Sequence, residues 1–127
     1  MDKSVVILIV DDAVVMRRLM RQYLNDMGFS QIVEAVDGRD ALEKLSSGGA
    51  DLIISDWLMP NLDGLGLLKA ARENEAWGKI PFLMVTLLDQ KEKVMEAVGA
   101  GVNDYIVKPL NYDNFRQKVG KLLGETV

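Results

Sequence analysis

The chain contains neither cysteine nor histidine. Without cysteine, disulfide bonds and thiolate metal sites are excluded. Without histidine, imidazole general catalysis, imidazole metal ligation and a phosphohistidine on this chain are excluded as well. Any metal site must therefore be built from oxygen ligands.

Positive charge and long apolar runs are also scarce. The formal net charge of −4 argues against unaided binding to nucleic acid, which usually needs a clustered basic face. The apolar run at 5–10 is too short for a signal-peptide core or a membrane span, so we expect no membrane association and a cytoplasmic location. The length of 127 residues fits one domain covering 1–127, without a separate output domain.

Short apolar runs alternate with longer amphipathic segments. The short runs are rich in valine and isoleucine, which is typical of strands buried on both faces of a parallel sheet. They lie at 5–10, 32–35, 52–55, 81–85 and 104–107. Five strand–helix repeats predict an α/β protein with a doubly wound (βα)5 fold of the flavodoxin type. The expected order of its five parallel strands, 2-1-3-4-5, is taken from known sheets of this class.

Glycine and capping residues mark the expected helix boundaries. The first helix should stop at Gly28 in a left-handed cap. The second should open at Asp37 and the third just after Asp63. Asp89 and Glu92 have the spacing of a capping box for the fourth.

Four of the five predicted strands are followed by, or end in, polar side chains that are candidates for one site. These are Asp11 and Asp12, then Asp56, Thr86 and Lys108. Ligands of open α/β sheets bind beyond the carboxyl ends of the strands, where the strand order reverses. Each residue taken alone has a simple structural explanation, such as a helix cap or a solvated strand end. Their conjunction at one edge favours a functional site.

The chemistry of these residues points to phosphoryl transfer. Carboxylates that are packed together repel one another unless a cation offsets them. Oxygen ligands suit a hard divalent ion, and Mg²⁺ is the natural choice because it accepts carboxylates, water and phosphate oxygens. A carboxylate can attack phosphorus to give an aspartyl phosphate, and Mg²⁺ with a nearby lysine would neutralise the charge of the transfer.

The sequence resembles the response-regulator receiver family along nearly its whole length, and most closely the stand-alone receivers of chemotaxis. The matching motifs are Val10-Asp11-Asp12, the stretch SDWLMPNLDG at 55–64, Met84-Val85-Thr86 and Val107-Lys108-Pro109. Each motif is weak by itself, but their order and spacing are highly specific.

The resemblance implies a metal site and a phosphoryl acceptor. Asp56 would accept the phosphoryl group. Asp12 and Asp56 would bind Mg²⁺ directly, Asp11 would act through water, and the backbone carbonyl of Leu58 would complete the site.

The resemblance also implies a switch. Lys108 would pair with the phosphoryl oxygens and form a cis bond to Pro109, Thr86 would donate its hydroxyl, and Tyr105 would swing inward when Thr86 moves. From sequence alone, a merely half-buried tyrosine on an edge strand explains Tyr105 equally well. The readout surface would comprise the fourth helix, fifth strand and fifth helix.

Three leucines depart from the family pattern. Leu87 stands where a small residue is usual, so we expect it to narrow access to Asp56 or to hinder the coupling of Thr86 with Tyr105. Leu58 and Leu88 stand where related chemotaxis proteins often carry polar side chains, so we expect them to exclude water and to prolong the life of the phosphoryl group.

The partners that the resemblance implies are a histidine kinase or phosphotransfer domain, the flagellar motor switch protein or another protein target, and any phosphatase. The chain would catalyse only its own phosphorylation and dephosphorylation. The arginines of the first helix, Arg17, Arg18 and Arg21, form either a kinase-docking cluster or a solvated helix face.

Three alternatives stay open at this point. A phosphatase of the haloacid dehalogenase class would need an Asp-x-Asp arrangement, which Asp11-Asp12-Ala13 lacks. A flavodoxin-like cofactor binder would need a phosphate-binding loop where the two carboxylates stand. A receiver-shaped interaction module that is never phosphorylated is supported only by Leu87. A stand-alone receiver in a relay other than chemotaxis would have much the same sequence.

Overall fold

The computed structural model describes residues 3–124, and its elements follow the alternation seen in the sequence. In chain order they are β1 (Ile7–Val10), α1 (Val14–Asp26), β2 (Ile32–Ala35), α2 (Gly38–Gly48), β3 (Leu52–Ser55), α3 (Gly64–Glu73), β4 (Phe82–Thr86), α4 (Lys91–Gly99), β5 (Asp104–Val107) and α5 (Tyr112–Leu122). The strands pair in parallel in the order β2-β1-β3-β4-β5. The predicted fold class and strand order are confirmed.

Two apolar layers hold the sheet between the helices. Because side chains alternate along a strand, Leu8 and Ile53 pack on one face with α2, α3 and α4, whereas Ile7 and Ile54 pack on the other with α1 and α5. The three inner strands β1, β3 and β4 are therefore buried throughout, which explains their continuous apolar sequence. None of the helices between residues 3 and 124 has the length and apolar character that a membrane span requires.

Two strands begin at residues different from those predicted. The first strand begins at Ile7 rather than at Val5, because the N–H of Val6 donates to the side chain of Asp51 (2.8 Å) instead of joining the sheet. The fourth strand begins one residue later than expected, at Phe82. Pro81 has no N–H to donate, although its carbonyl accepts from Ile53.

The helix caps agree with the prediction except at α4. Asp37 and Asp63 accept the backbone N–H of Asp40 and Gly66, both at 2.8 Å, and so cap α2 and α3. The capping box expected for the fourth helix is wrong. The helix begins at Lys91, so the capping position falls on Gln90, which makes no side-chain capping bond, and Asp89 lies one residue too early.

Glycines in the left-handed region end α1 and α4. Gly28 has φ 98°, as predicted, and the N–H of Phe29 reaches back to the carbonyl of Leu24. Gly101 has φ 99° and plays the same part after α4, where the N–H of Val102 donates to Ala97. Both ends are Schellman motifs that satisfy carbonyls which the helix leaves open.

Replacing Gly101 by alanine should destabilise the fold. A left-handed alanine is strained, and its Cβ would lie 3.1 Å from Nε of Arg72, so we expect a loss of about 1–2 kcal/mol in the free energy of unfolding. Gly99→Ala is the matched control, because Gly99 is helical and no atom lies within 4 Å of the added Cβ. That variant should be as stable as the native chain or more stable. Urea unfolding would measure both, and equal losses would contradict the prediction.

Candidate functional site

The strand order brings three carboxylates together at the carboxyl edge of the sheet. β1 lies between β2 and β3, so the residues that follow β1 and β3 meet at the point where the strand order reverses. Asp11, Asp12 and Asp56 each offer a carboxylate oxygen, and these atoms lie within 4.8 Å of one another. Asp11 and Asp56 are buried, whereas Asp12 is exposed. The site therefore holds its negative charge partly inside the protein.

Lys108 supplies the positive charge that lies within this cluster. Its Nζ lies 3.1 Å from Oδ2 of Asp11 and 3.3 Å from Oδ2 of Asp56, and the lysine side chain is only 12% exposed. Its backbone N–H donates to the carbonyl of Thr86 (2.8 Å), which fixes the end of β5 beside the end of β4. The bond from Lys108 to Pro109 is cis, as the resemblance implied.

One ammonium group does not fully offset the buried charge. Burial raises the pKa of Asp11 above its ordinary value, and the nearby carboxylate of Asp56 raises it further. The N–H of Ala13 and the ammonium of Lys108 act in the opposite direction without cancelling the effect. The folded protein thus disfavours the ionised form of Asp11, as expected of a site that lacks part of its positive charge.

The chain after β3 is held close to Asp56 by Gly64. Oδ1 of Asp56 accepts the N–H of Trp57 (2.7 Å), and the N–H of Gly64 donates to the carbonyl of Trp57 (2.8 Å). A Cβ on Gly64 would overlap the carbonyl oxygen of Asp56. Sequence reasoning placed the start of the third helix just after Asp63 and did not reveal this requirement.

Thr86 and Tyr105 are linked through the loop between β4 and α4. Thr86 is fully buried, and its Oγ1 lies 3.4 Å from the backbone nitrogen of Leu88. The hydroxyl of the half-buried Tyr105 donates to the carbonyl of Leu88 at 2.6 Å. Burial raises the pKa of Tyr105, and the charges of Asp56 and Asp89 add to this, so the phenol stays a donor at neutral pH.

The three unusual leucines lie in two different environments. Leu58 is 57% exposed and Leu87 is 68% exposed, so both project from the rim of the site into solvent. Leu88 is half-buried and packs against the core. The side chain that continues the β4–α4 loop inward is therefore Leu88 and not Leu87.

The arginines of α1 form a connection that the sequence did not reveal. Nε of Arg17 and Nε of Arg21 bind the two carboxylate oxygens of Glu34 on β2, at 3.0 and 2.7 Å. Arg17 also donates to the backbone carbonyl of Asp11 (2.8 Å). Two of the three arginines are thus engaged inside the fold, and Arg18 is the exposed member. A pairing partner seventeen residues away gives no local sequence signal.

Comparison with known proteins agrees with this geometry. Residues 7–120 match the model of the response regulator receiver domain. The chain belongs to this family.

Several named proteins are similar to this chain over almost its whole length. The chemotaxis protein CheY of Pseudomonas aeruginosa is 43% identical over 116 residues, which are 91% of this chain and 94% of that protein. The chemotaxis response regulator CheY4 of Vibrio cholerae superposes with a TM-score of 0.87 at 32% identity, over 94% of this chain and 98% of that one. A complex of CheX and CheY with BeF3 and magnesium from Borrelia burgdorferi contains a chain with a TM-score of 0.85 at 28% identity, covering 92% and 87%.

Removal of the buried charge at Asp11 should stabilise the metal-free receiver. Because burial raises the pKa of Asp11, the folded state disfavours its ionised form, and Asp11→Asn should raise the free energy of unfolding at neutral pH. The gain should shrink as the pH falls through the raised pKa, because protonation removes the same charge from the native chain. Urea unfolding in chelator at several pH values tests this. A variant less stable than the native chain at neutral pH would contradict it.

Proposed function

We propose that this receiver is a phosphorylation switch in which Asp56 accepts a phosphoryl group from a histidine kinase or phosphotransfer domain. The observation that carries the proposal is the buried carboxylate of Asp56, which lies 3.3 Å from the ammonium of Lys108 and beside two further carboxylates. Attack by a carboxylate oxygen on phosphorus forms an acyl phosphate as the bond to the donor nitrogen breaks, and the donor imidazole leaves with a proton. The protein would act on no other substrate.

The donor set fits Mg²⁺. Carboxylates within 4.8 Å of one another, with one lysine between two of them, leave a site that favours a further cation. Asp12 and Asp56 would hold the ion directly, Asp11 through water, and the backbone carbonyl of Leu58 would add a ligand. When bound, Mg²⁺ would neutralise negative charge on the transferring group. The related Borrelia complex that contains magnesium supports this assignment.

Phosphorylation would bias the loop that joins Thr86 to Tyr105. New phosphoryl oxygens would accept hydrogen bonds from the ammonium of Lys108 and the hydroxyl of Thr86. Reorientation of Thr86 would disturb its contact with the N–H of Leu88, whose carbonyl holds Tyr105. The output would be the surface of α4, β5 and α5, where Met95, Val98 and Val107 already expose apolar side chains to a target.

We further propose that residues 1–127 act as a stand-alone cytoplasmic receiver of chemotaxis that signals by protein contact. The similarity to CheY of Pseudomonas aeruginosa supports a chemotaxis role and the flagellar motor switch as target. A phosphatase would be a further partner, and the Borrelia complex, in which a CheY is bound to a second protein, CheX, supports signalling by protein contact.

Intact mass after incubation with acetyl phosphate tests the acceptor. We expect one base-labile phosphoryl adduct that requires Mg²⁺ and is absent from Asp56→Asn. Leu87→Ala should label faster than the native chain, because the exposed side chain of Leu87 follows directly after Thr86 and would narrow access to Asp56. A native chain that stays unlabelled while Leu87→Ala is labelled would show that Leu87 excludes small donors. Failure of both folded proteins to label, even with a kinase present, would favour an unphosphorylated interaction module.

The leucines beside the site should lengthen the life of the phosphoryl group. Apolar side chains cannot orient the attacking water. In the double variant Leu58→Asn, Leu88→Glu, the aspartyl phosphate should therefore hydrolyse roughly 10-fold faster or more. Decay of the labelled protein after removal of the donor gives the rate. Leu58→Ala with Leu88→Ala is the matched control, which removes bulk without adding a polar group. Equal rates for the polar variant and the native chain would refute the prediction.

A further inference from the structure

The loop that leads from the acceptor to α3 is tied to the start of α2 at two points. Nδ2 of Asn61 donates to Oδ2 of Asp37 at 2.7 Å, and the N–H of Gly38 donates to the carbonyl of Leu62 at 2.9 Å. We call these two bonds the loop clasp. It joins the β3–α3 loop to a neighbouring helix that takes no direct part in the proposed chemistry.

The burial, size and backbone conformation of the clasp residues all fit these two hydrogen bonds. Asp37 is only 7% exposed and uses both carboxylate oxygens, Oδ1 to cap α2 and Oδ2 to bind Asn61. A Cβ on Gly38 would overlap the carbonyl of Leu62. Asn61 has φ 68°, a conformation that asparagine tolerates better than most residues.

The loop clasp holds the tip of the β3–α3 loop, whose base is already closed by a backbone hydrogen bond. Gly64 closes the base of the loop on Trp57, and the N–H of Leu62 turns back to the carbonyl of Pro60 at 2.8 Å. Between these points lies Leu58, whose side chain is largely exposed and provides little packing of its own. Trp57 and Met59, on either side of Leu58, pack against the core, and the polar contacts of the loop add to this packing in placing the Leu58 backbone.

We propose that Asp37 is a positioning residue for the metal site, which acts through Asn61 to hold the loop that presents the carbonyl of Leu58. The inference rests on the proposed function, in which that carbonyl is a ligand of Mg²⁺. Mg²⁺ demands near-ideal octahedral geometry, so a ligand held less firmly lowers its affinity. Neither Asp37 nor Asn61 is among the proposed ligands of the ion.

Two substitutions break the clasp from opposite sides and spare the other duties of each residue. Asp37→Ser keeps a capping oxygen for α2 but is too short to reach Asn61. Asn61→Gly keeps the left-handed backbone and removes the amide. Each should weaken Mg²⁺ binding by roughly 10-fold, as is common when a group that orients a ligand is lost. The double variant should lose little more, because both changes remove the same bond.

The dissociation constant for Mg²⁺ would be obtained from the increase in unfolding free energy with Mg²⁺ concentration, which separates affinity from stability. Fluorescence of Trp57, whose backbone N–H donates to the side chain of Asp56, gives a second readout of Mg²⁺ binding in a Trp77→Phe background. Asn103→Ala is the matched control. It removes two hydrogen bonds at the opposite edge of the sheet, so it should lower stability and leave the constant unchanged.

The outcomes separate this inference from the function on which it rests. If the native chain binds no Mg²⁺, the proposed metal site is wrong. If the native chain binds Mg²⁺ and both clasp variants bind it equally well, Asp37 is only a helix cap and the inference is overturned. Weaker binding by Asp37→Ser alone would also overturn it, because the effect would not pass through Asn61.

Discussion

The sharing of one ammonium group between two buried carboxylates governs the rest of this structure. Lys108 lies between Asp11 and Asp56, and all three are largely withdrawn from water. Such charges persist inside a protein only where partners and packing offset their desolvation. The partners come from three different strands, and the two apolar layers of the sheet supply the stability against which the remaining repulsion acts. The excess of negative charge would also favour a cation beside these carboxylates.

The loops around this pair differ in how firmly they are held. The loop after β3 is fixed at its base by Gly64 and at its tip by the clasp. The loop after β4 has a long contact from Thr86, one bond from Tyr105, and leads into a helix without a side-chain cap. α4 buries only Ala97, so little apolar contact resists its displacement. The loop after β3, which would hold the metal, is therefore firmly held. The loop after β4, which would respond to phosphorylation, is held by fewer contacts.

The apolar pattern was enough to predict five strands and where each of them ends, because burial on both faces leaves a continuous apolar run. The strand order, which brings those ends together at the site, came from known sheets of this class. The cis bond at Pro109 came from resemblance. The start of α4 was misjudged by one residue, since capping motifs are short and Asp89 matches one by chance. Contacts such as Arg17 with Glu34, or Asp37 with Asn61, join polar residues far apart in sequence, and no periodicity marks them.

The outward projection of Leu58 and Leu87 has an evolutionary consequence. Their side chains face solvent, at 57% and 68% exposure, and so contribute little to packing. Exposed side chains of this kind can be exchanged with almost no change in folding free energy. Under the proposed function, a lineage could therefore retune donor access through Leu87 and phosphoryl lifetime through Leu58 by single substitutions, without passing through an unstable ancestor.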